Sequence, residues 1–350
     1  MISVKNIYWM LAYAFNNINA TESEKISKEE FENIYELLCV MLTQELSKLI
    51  KRGLYKEYVT REEELSNLRG KILLGESIKS NSPKKSKMVC ECDEYSENSY
   101  LNKIIKTSAN YLIKSGKVKD KIKIKKLKNN LLFLSDVDIL EKNNINWSLI
   151  KYTKNNKAYT FAINIAHLII DGLLANKDDG TVDFNNYIND QEMHKLYEKF
   201  ILEYYRFHYK NLHASVPQIE WNIEKDNPMI KLLPKMQTDI TLYYEDRVLI
   251  IDAKYYSNMY QNNPLFDKNT FKSNNLYQIF TYVKNQDKEK NGKVSGMLLY
   301  AKTDENDEQW AEYNMDGNKI IISNIDLSDN FNKVQQHLNN IAEKFINNKI

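Results

Sequence analysis

The sequence lacks the features that would make it secreted, disulfide-stapled or membrane-embedded. It has only three cysteines, Cys39, Cys90 and Cys92. An odd number without framework spacing excludes a disulfide scaffold and points to a reducing compartment. Cys90-Glu91-Cys92 has no second Cys or His pair at zinc spacing, so alternation along a strand accounts for it better than structural zinc. No run reaches the ~18 apolar residues of a membrane helix. The opening stretch, MISVKNIYWMLAYAF, has too short an apolar part for a secretory leader. Asn16-Asn17 also stands where small cleavage-site residues would be. These absences predict a cytoplasmic chain with no membrane partner. The formal net charge is only +2. No global field draws the protein to nucleic acid, and such a partner would need a local basic surface. There is no GxxxxGK[ST] loop, so nucleotide binding is not expected in this chain.

What is present is ordinary globular material. Of 350 residues, 43% are apolar and 27% charged, enough for a large core and most simply two domains. Residues 6–18 fit a helix through Ile7, Met10, Leu11 and Ala14. Residues 28–50 fit a longer one through Phe31, Ile34, Tyr35, Leu38, Leu42, Leu46 and Leu49. From Leu54 to Ile78 the pattern is mixed, charged and punctuated by Gly53, Gly70 and Gly75, which predicts short strands in an extended hairpin-like element. Residues 80–87 read as a polar loop, MVCECDEYS as a strand, and a helix is expected from Ser99. Residues 117–130 hold seven lysines. A solvated helix face or linker is the preferred reading over a DNA-facing patch. The apolar stretch 158–174 reads as a core helix with His167 as a packed histidine, and 174–190 as turn-rich.

Chemistry is concentrated in the C-terminal half. Met193, Leu196, Tyr197, Phe200, Ile201 and Tyr204 mark an amphipathic helix over 191–205. Two strands around a polar turn follow in 231–256. A helix with Leu276, Ile279, Phe280 and Val283 inward comes next, then a buried strand over 293–304. This order predicts a mixed αβ sheet. The strand VLIIDAKYY ends in Asp252 and Lys254, two residues apart and so on one face. A turn at Glu245-Asp246 pairs Tyr244 with Arg247 and, by count, Asp239 with Asp252. Opposed like charges on a ladder are destabilising, and burying them unpaired is worse. A proton or a divalent cation between the carboxylates relieves this. Lys254 beside such a cation suits phosphodiester hydrolysis.

The stretch TDITL…VLIIDAKYY resembles the core of the PD-(D/E)xK nuclease superfamily, with Asp239, Asp252 and Lys254 at the motif positions and Thr238 where proline often stands. LYQIFTY is similar to the Gln-x-x-x-Tyr helix of the RecB-like branch, placing Gln278 and Tyr282 on one helical face. LYEKF resembles the helix that contributes a glutamate, here Glu198, although its helical position lies well off the apolar stripe. ISVKNIYWMLAYAF, LRGKI, CDEYSENSYLNKIIK and IIDAKYY together look like the McrC family, the nuclease subunits of McrBC modification-dependent restriction systems. That resemblance implies an α+β chain with a mostly helical docking domain over 1–155 and a restriction-endonuclease-like domain over 156–350, its central mixed sheet flanked by helices. It implies Mg²⁺ held by Asp239, Asp252 and Glu198, with Lys254, Gln278 and Tyr282 completing the catalytic set. It also implies a hetero-oligomer with an McrB-like AAA+ GTPase hexamer that binds the GTP, and duplex DNA carrying modified cytosine as substrate. The charged element 54–95 is the expected contact with the GTPase. The competing readings are a stand-alone RecB-like repair nuclease and a non-catalytic activator of an NTPase ring.

Overall fold

A computed structural model describes residues 2–15, 29–175, 190–223, 228–255, 259–263, 268–302 and 309–350. The chain divides into two compact units, Met1–Glu30 with Val182–Ile350, and Phe31–Thr181. Most of the stretch 174–190 and residues 16–18 of the first expected helix lie outside the described residues.

Helix α1 (Val4–Ala14) buries Ile7, Met10, Leu11 and Ala14 as their spacing predicts, and Asn6, Tyr8, Ala12 and Tyr13 as well. A helix covered on so much of its surface is an internal element. Its partners lie in the C-terminal part of the chain. Ser3 donates its N–H to the Leu327 carbonyl at 3.0 Å, and Asn6 Nδ2 reaches the carbonyls of Leu327 and Asp329 at 2.8 and 2.7 Å.

The second unit opens with α2 (Ile34–Arg52), capped by the Asn33 side chain and stopped at Gly53 with φ 91°. Strands β1 (Glu57–Leu65) and β2 (Lys71–Ile72) follow, then a short helix α3 (Leu74–Lys79) and strand β3 (Met88–Ser96). The sheet order is β1-β3-β2, antiparallel throughout, with Glu57 opposite Ser96 and Leu65 opposite Met88. The expected strand element therefore exists, but 74–79 is helical and 82–85 is a 3₁₀ turn inside the expected loop. Gly70, at φ 73°, lies so close to β3 that an added Cβ would stand 2.2 Å from the Glu91 carbonyl. Helices α4 (Tyr100–Lys114), α5 (Lys121–Leu131) and α6 (Thr160–Ala175) complete the unit. Ser99 and Asp120 cap α4 and α5 with their side chains, as short polar residues do at helix starts. His167 of α6 packs its ring against Trp147, centroids 4.1 Å apart.

The first unit continues with α7 (Asp190–His208), the paired two-residue strands β4 (Gln218–Ile219) and β5 (Met236–Gln237), and the hairpin β6 (Ile240–Tyr244) and β7 (Arg247–Lys254). Then come β8 (Tyr260–Asn263) and β9 (Lys268–Phe271), which pair with each other, helix α8 (Ser273–Gln286), β10 (Val294–Lys302), β11 (Trp310–Met315), β12 (Asn318–Asp326) and helix α9 (Phe331–Ile346). The central sheet has the order β11-β12-β10-β7-β6. Strands β7, β10 and β12 are parallel, and β6 and β11 close the edges antiparallel. The parallel centre is covered on both faces, which is why β7 and β10 read as near-continuous apolar runs. Helix α8 packs Ile279 and Val283 onto Ile250, Leu298, Ile320 and Ile322. Gly296 permits that approach, since a Cβ there would meet Val283 and Ile279 at 2.7 and 2.8 Å. The opposite face takes α7 and α9, joined by the Tyr204 and Tyr205 hydroxyls bonded to α9, and α9 is tied to β12 by the 3.0 Å contact of His337 Nε2 with Ser323 Oγ.

These units correct the expected boundary at 155/156. Residues 2–15 belong with the C-terminal unit, where Tyr13 packs against Phe200, Tyr204 and Phe331, and Trp9 stacks on Phe331 at 4.6 Å. Helix α6, on the far side of the expected boundary, belongs with α2 and α4. The physical reason is that an apolar helix face is satisfied by any matching face, at whatever distance along the chain.

Candidate functional site

Strand β7 carries the site at its carboxyl end. The turn at Glu245-Asp246 forms as expected, with Tyr244 opposite Arg247 and Ile240 opposite Ile251. Glu245 takes the left-handed conformation, φ 54°, and Asp246 is held by the Lys293 ammonium. Asp239 stands just before β6 rather than in the ladder. Its Oδ2 accepts a hydrogen bond from the Ala253 N–H at 2.9 Å, which turns the carboxylate toward the end of β7.

Asp252 and Lys254 share a face, with Leu298 and Tyr300 beside them on β10. Lys254 Nζ lies 2.8 Å from Asp252 Oδ2, and the two side chains are 8% and 1% exposed. The contact is an ion pair by distance, but neither Asp252 oxygen receives a well-directed hydrogen bond from the protein. A buried carboxylate in that state is costly and calls for a further electrophile.

The electrostatics agree. Burial pushes Asp239 up to about 8, reinforced by the charges of Asp252 and Glu198 and opposed by Lys254 and the Ala253 N–H. Burial also raises Asp252, with Lys254 as the main opposing influence. Two acids that resist ionising together, next to one ammonium, form a set short of positive charge.

Helix α8 fixes the lysine. Gln278 Oε1 accepts from Lys254 Nζ at 3.2 Å, and Gln278 Nε2 donates to the Tyr282 hydroxyl at 3.1 Å. The i, i+4 spacing puts both on one face. Nearby, Asn275 Nδ2 donates to the buried Tyr300 hydroxyl at 2.9 Å and ties the start of α8 to β10. A chain of contacts thus runs from Tyr282 through Gln278 and Lys254 to Asp252.

Glu198 is near enough for its charge to act on Asp239, but its Oε1 is engaged with His194 Nδ1 at 2.6 Å. Among the described residues no three His, Cys, Asp or Glu side chains converge closely enough to hold one ion. Asp239 and Asp252 are the carboxylates the fold brings together, and Glu198 stands beside the pair. A cation with hard-oxygen preference and retained waters fits two such carboxylates, with the Asp239 and Asp252 oxygens as the donors. Sequence reasoning missed His194, although its i, i+4 spacing from Glu198 on an otherwise clear helix was a usable signal.

The comparisons with known proteins bear on the family and the fold. The model of the McrBC 5-methylcytosine restriction system component family matches residues 4–301. The Escherichia coli K12 protein described as type IV methyl-directed restriction enzyme EcoKMcrBC is 26% identical over 350 residues, covering 99% of each chain. A solved Thermococcus gammatolerans half-complex of McrB AAA+ hexamers with bound McrC contains a chain of similar fold. It matches 99% of this chain and 76% of its own length, at TM-score 0.56 and 17% identity. Among the described residues no helix is long and apolar enough to cross a membrane.

Proposed function

The chain belongs to the McrBC 5-methylcytosine restriction system component family, and from that premise we propose that it is the Mg²⁺-dependent DNA endonuclease subunit of a GTP-driven, modified-cytosine-dependent restriction complex. It works in the cytoplasm with a hexameric McrB-like AAA+ GTPase, which binds the GTP and which this chain stimulates. The first unit is then a PD-(D/E)xK nuclease domain. The observation that carries the reading is the buried Asp252, set beside the half-buried Asp239 and paired with a lysine that a Gln–Tyr pair holds in place.

In this reading Asp239 and Asp252 hold the cation. Glu198 adds negative charge beside them, steadied by His194. A divalent cation held there supplies positive charge to a phosphodiester and acidifies nearby water. The protein's own groups do the rest. The Ala253 N–H aims Asp239. Gln278 holds the Lys254 ammonium beside Asp252, where it orients the attacking water and counters charge growing on the phosphate oxygens. Strand β7, buried from Leu249 to Lys254, keeps this geometry, because sites on packed strands are positioned more accurately than sites on loops.

The test uses the purified complex with its GTPase partner, methylated duplex DNA and Mg²⁺. Asp252→Ala and Lys254→Ala should each abolish cleavage while the partner's GTPase remains stimulated. Full cleavage by both variants would overturn the assignment.

A further inference from the structure

Helix α5 carries Lys121, Lys123, Lys125, Lys126 and Lys128 and no acid; after Asp120 the next acid along the chain is Asp136. Two residues anchor it. Leu127 is fully buried, and Lys123 is drawn inward to the buried Glu36, Nζ to Oε2 3.2 Å. The remaining lysines, Lys121, Lys125, Lys126 and Lys128, are exposed. None has an ion-pair partner among the described residues, whereas Lys71, Lys79 and Lys85 in the same unit pair with Glu91, Glu76 and Glu64. Helix α2 runs parallel to α5, since Glu36 meets Lys123 and Asn130 Nδ2 meets the Thr43 carbonyl and Ser47 Oγ. The last turn of α2, just beyond Ser47, adds exposed Lys51 and Arg52, which have no ion-pair partner among the described residues either.

Lysines at i, i+4 and i+7 on one face repel each other, and such pairs destabilise a helix by a few tenths of a kcal/mol each. A solvated face normally interleaves acids to avoid this. Exposed apolar groups accompany these lysines instead, Ile122 within α5 and Leu132 and Phe133 in the 3₁₀ turn after it, at 67%, 73% and 61% exposed.

We propose that the exposed face of α5 binds the phosphate backbone of duplex DNA. The proposal rests on the endonuclease reading and extends it by assigning a DNA-holding surface to the second unit. The chain's net charge of +2 cannot supply affinity globally, so a local row of uncompensated charge must. Lys121 to Lys128 spans about 10 Å at 1.5 Å per residue. Duplex DNA presents one charge per about 1.7 Å of its axis, so one duplex can meet Lys121, Lys125 and Lys128, which share a face at i, i+4 and i+7, with Lys126 to one side. Lysine contacts to phosphate carry no sequence information, which suits a subunit that grips DNA without choosing the site.

The experiment replaces Lys121, Lys125, Lys126 and Lys128 together by Gln in the full chain. Binding to a short unmodified duplex is followed by fluorescence anisotropy in EDTA over a salt series. Thermal melting serves as the fold control, since all four side chains are exposed. Wild type should show a steep salt dependence. The variant's slope of log affinity against log salt should be smaller by about 2 to 3, with binding at low salt at least ~10-fold weaker. Because metal is absent, failure of the wild-type complex to cut DNA would sink the nuclease reading and leave this measurement standing. An unchanged slope in the quadruple variant overturns the proposal. An unchanged slope with lost capture of the GTPase partner also overturns it and reassigns the face to an acidic protein surface.

Discussion

Metal binding at the Asp239–Asp252 pair should release a proton at neutral pH and weaken steeply in mild acid. The perturbation is pH alone. Asp239 is pushed up to about 8, first by burial and then by the charges of Asp252 and Glu198, so at neutral pH the metal-free pair keeps a proton that the cation must displace. With a group titrating near 8, about half is ionised at pH 8 and about one per cent at pH 6, a difference of roughly 50-fold in apparent affinity. Calorimetric titration with Mn²⁺ at pH 6, 7 and 8 reads that ratio directly. Repeating the titration at pH 7 in buffers of different ionisation enthalpy counts the protons released, and close to one is expected. The Asp239→Asn variant should bind weakly and lose the pH dependence, since its amide neither titrates nor attracts the ion. Equal affinity for the wild type at pH 6 and pH 8, with no proton released, would refute the electrostatic account of the site.

The same raised acidity has a stability consequence. A carboxyl raised in the folded state contributes stability that is full below its unfolded value and is lost as pH rises through about 8. The metal-free protein should therefore melt at a lower temperature at pH 9 than at pH 6, and added Mg²⁺ should remove the difference. Asp252→Asn takes the 1%-exposed carboxylate out of its buried ion pair with Lys254, and should destabilise the metal-free protein by about 3–5 kcal/mol in denaturant unfolding while cleavage is lost. Gln278→Ala frees the Lys254 ammonium from its 3.2 Å contact. It should cut kcat by roughly 10- to 100-fold with DNA affinity unchanged, as expected when a group is mispositioned by about an ångström; equal losses in kcat and binding would instead mark Gln278 as a DNA contact. Gly296→Ala places a methyl 2.7 Å from Val283 and should destabilise by about 1–3 kcal/mol, read as a lower midpoint in urea.

Much of this was legible before folding because it follows local rules. Glu245-Asp246 lies between two apolar strands, and its turn sets the register that brings Asp239 to the end of β7. Alternation puts Asp252 and Lys254 on one face, and the i, i+4 spacing puts Gln278 beside Tyr282. Other features gave no such signal. Helix α3 was obscured by glycines and charges that also suit short strands, and it forms where Leu73 donates to the Val89 carbonyl of the neighbouring strand. Asp239 reads as a ladder residue by count, yet it stands outside the ladder because its carboxylate takes the Ala253 N–H. The lysine run read as solvated, and only the positions of Lys123 and Leu127 reveal which lysines remain exposed without acids.

The sequence by itself determined the local geometry and the chemical types: which residues alternate, which share a helical face, and which acids and lysine end a buried strand. These depend on backbone periodicities that operate within a few residues. The tertiary structure alone decided that α1 belongs to the unit containing α7 and α9, that Gln278 reaches Lys254, and that the charges of Asp252 and Glu198 act on Asp239. Each of these depends on which surfaces pack together, and the free energy of packing is set by complementarity and burial rather than by separation along the chain.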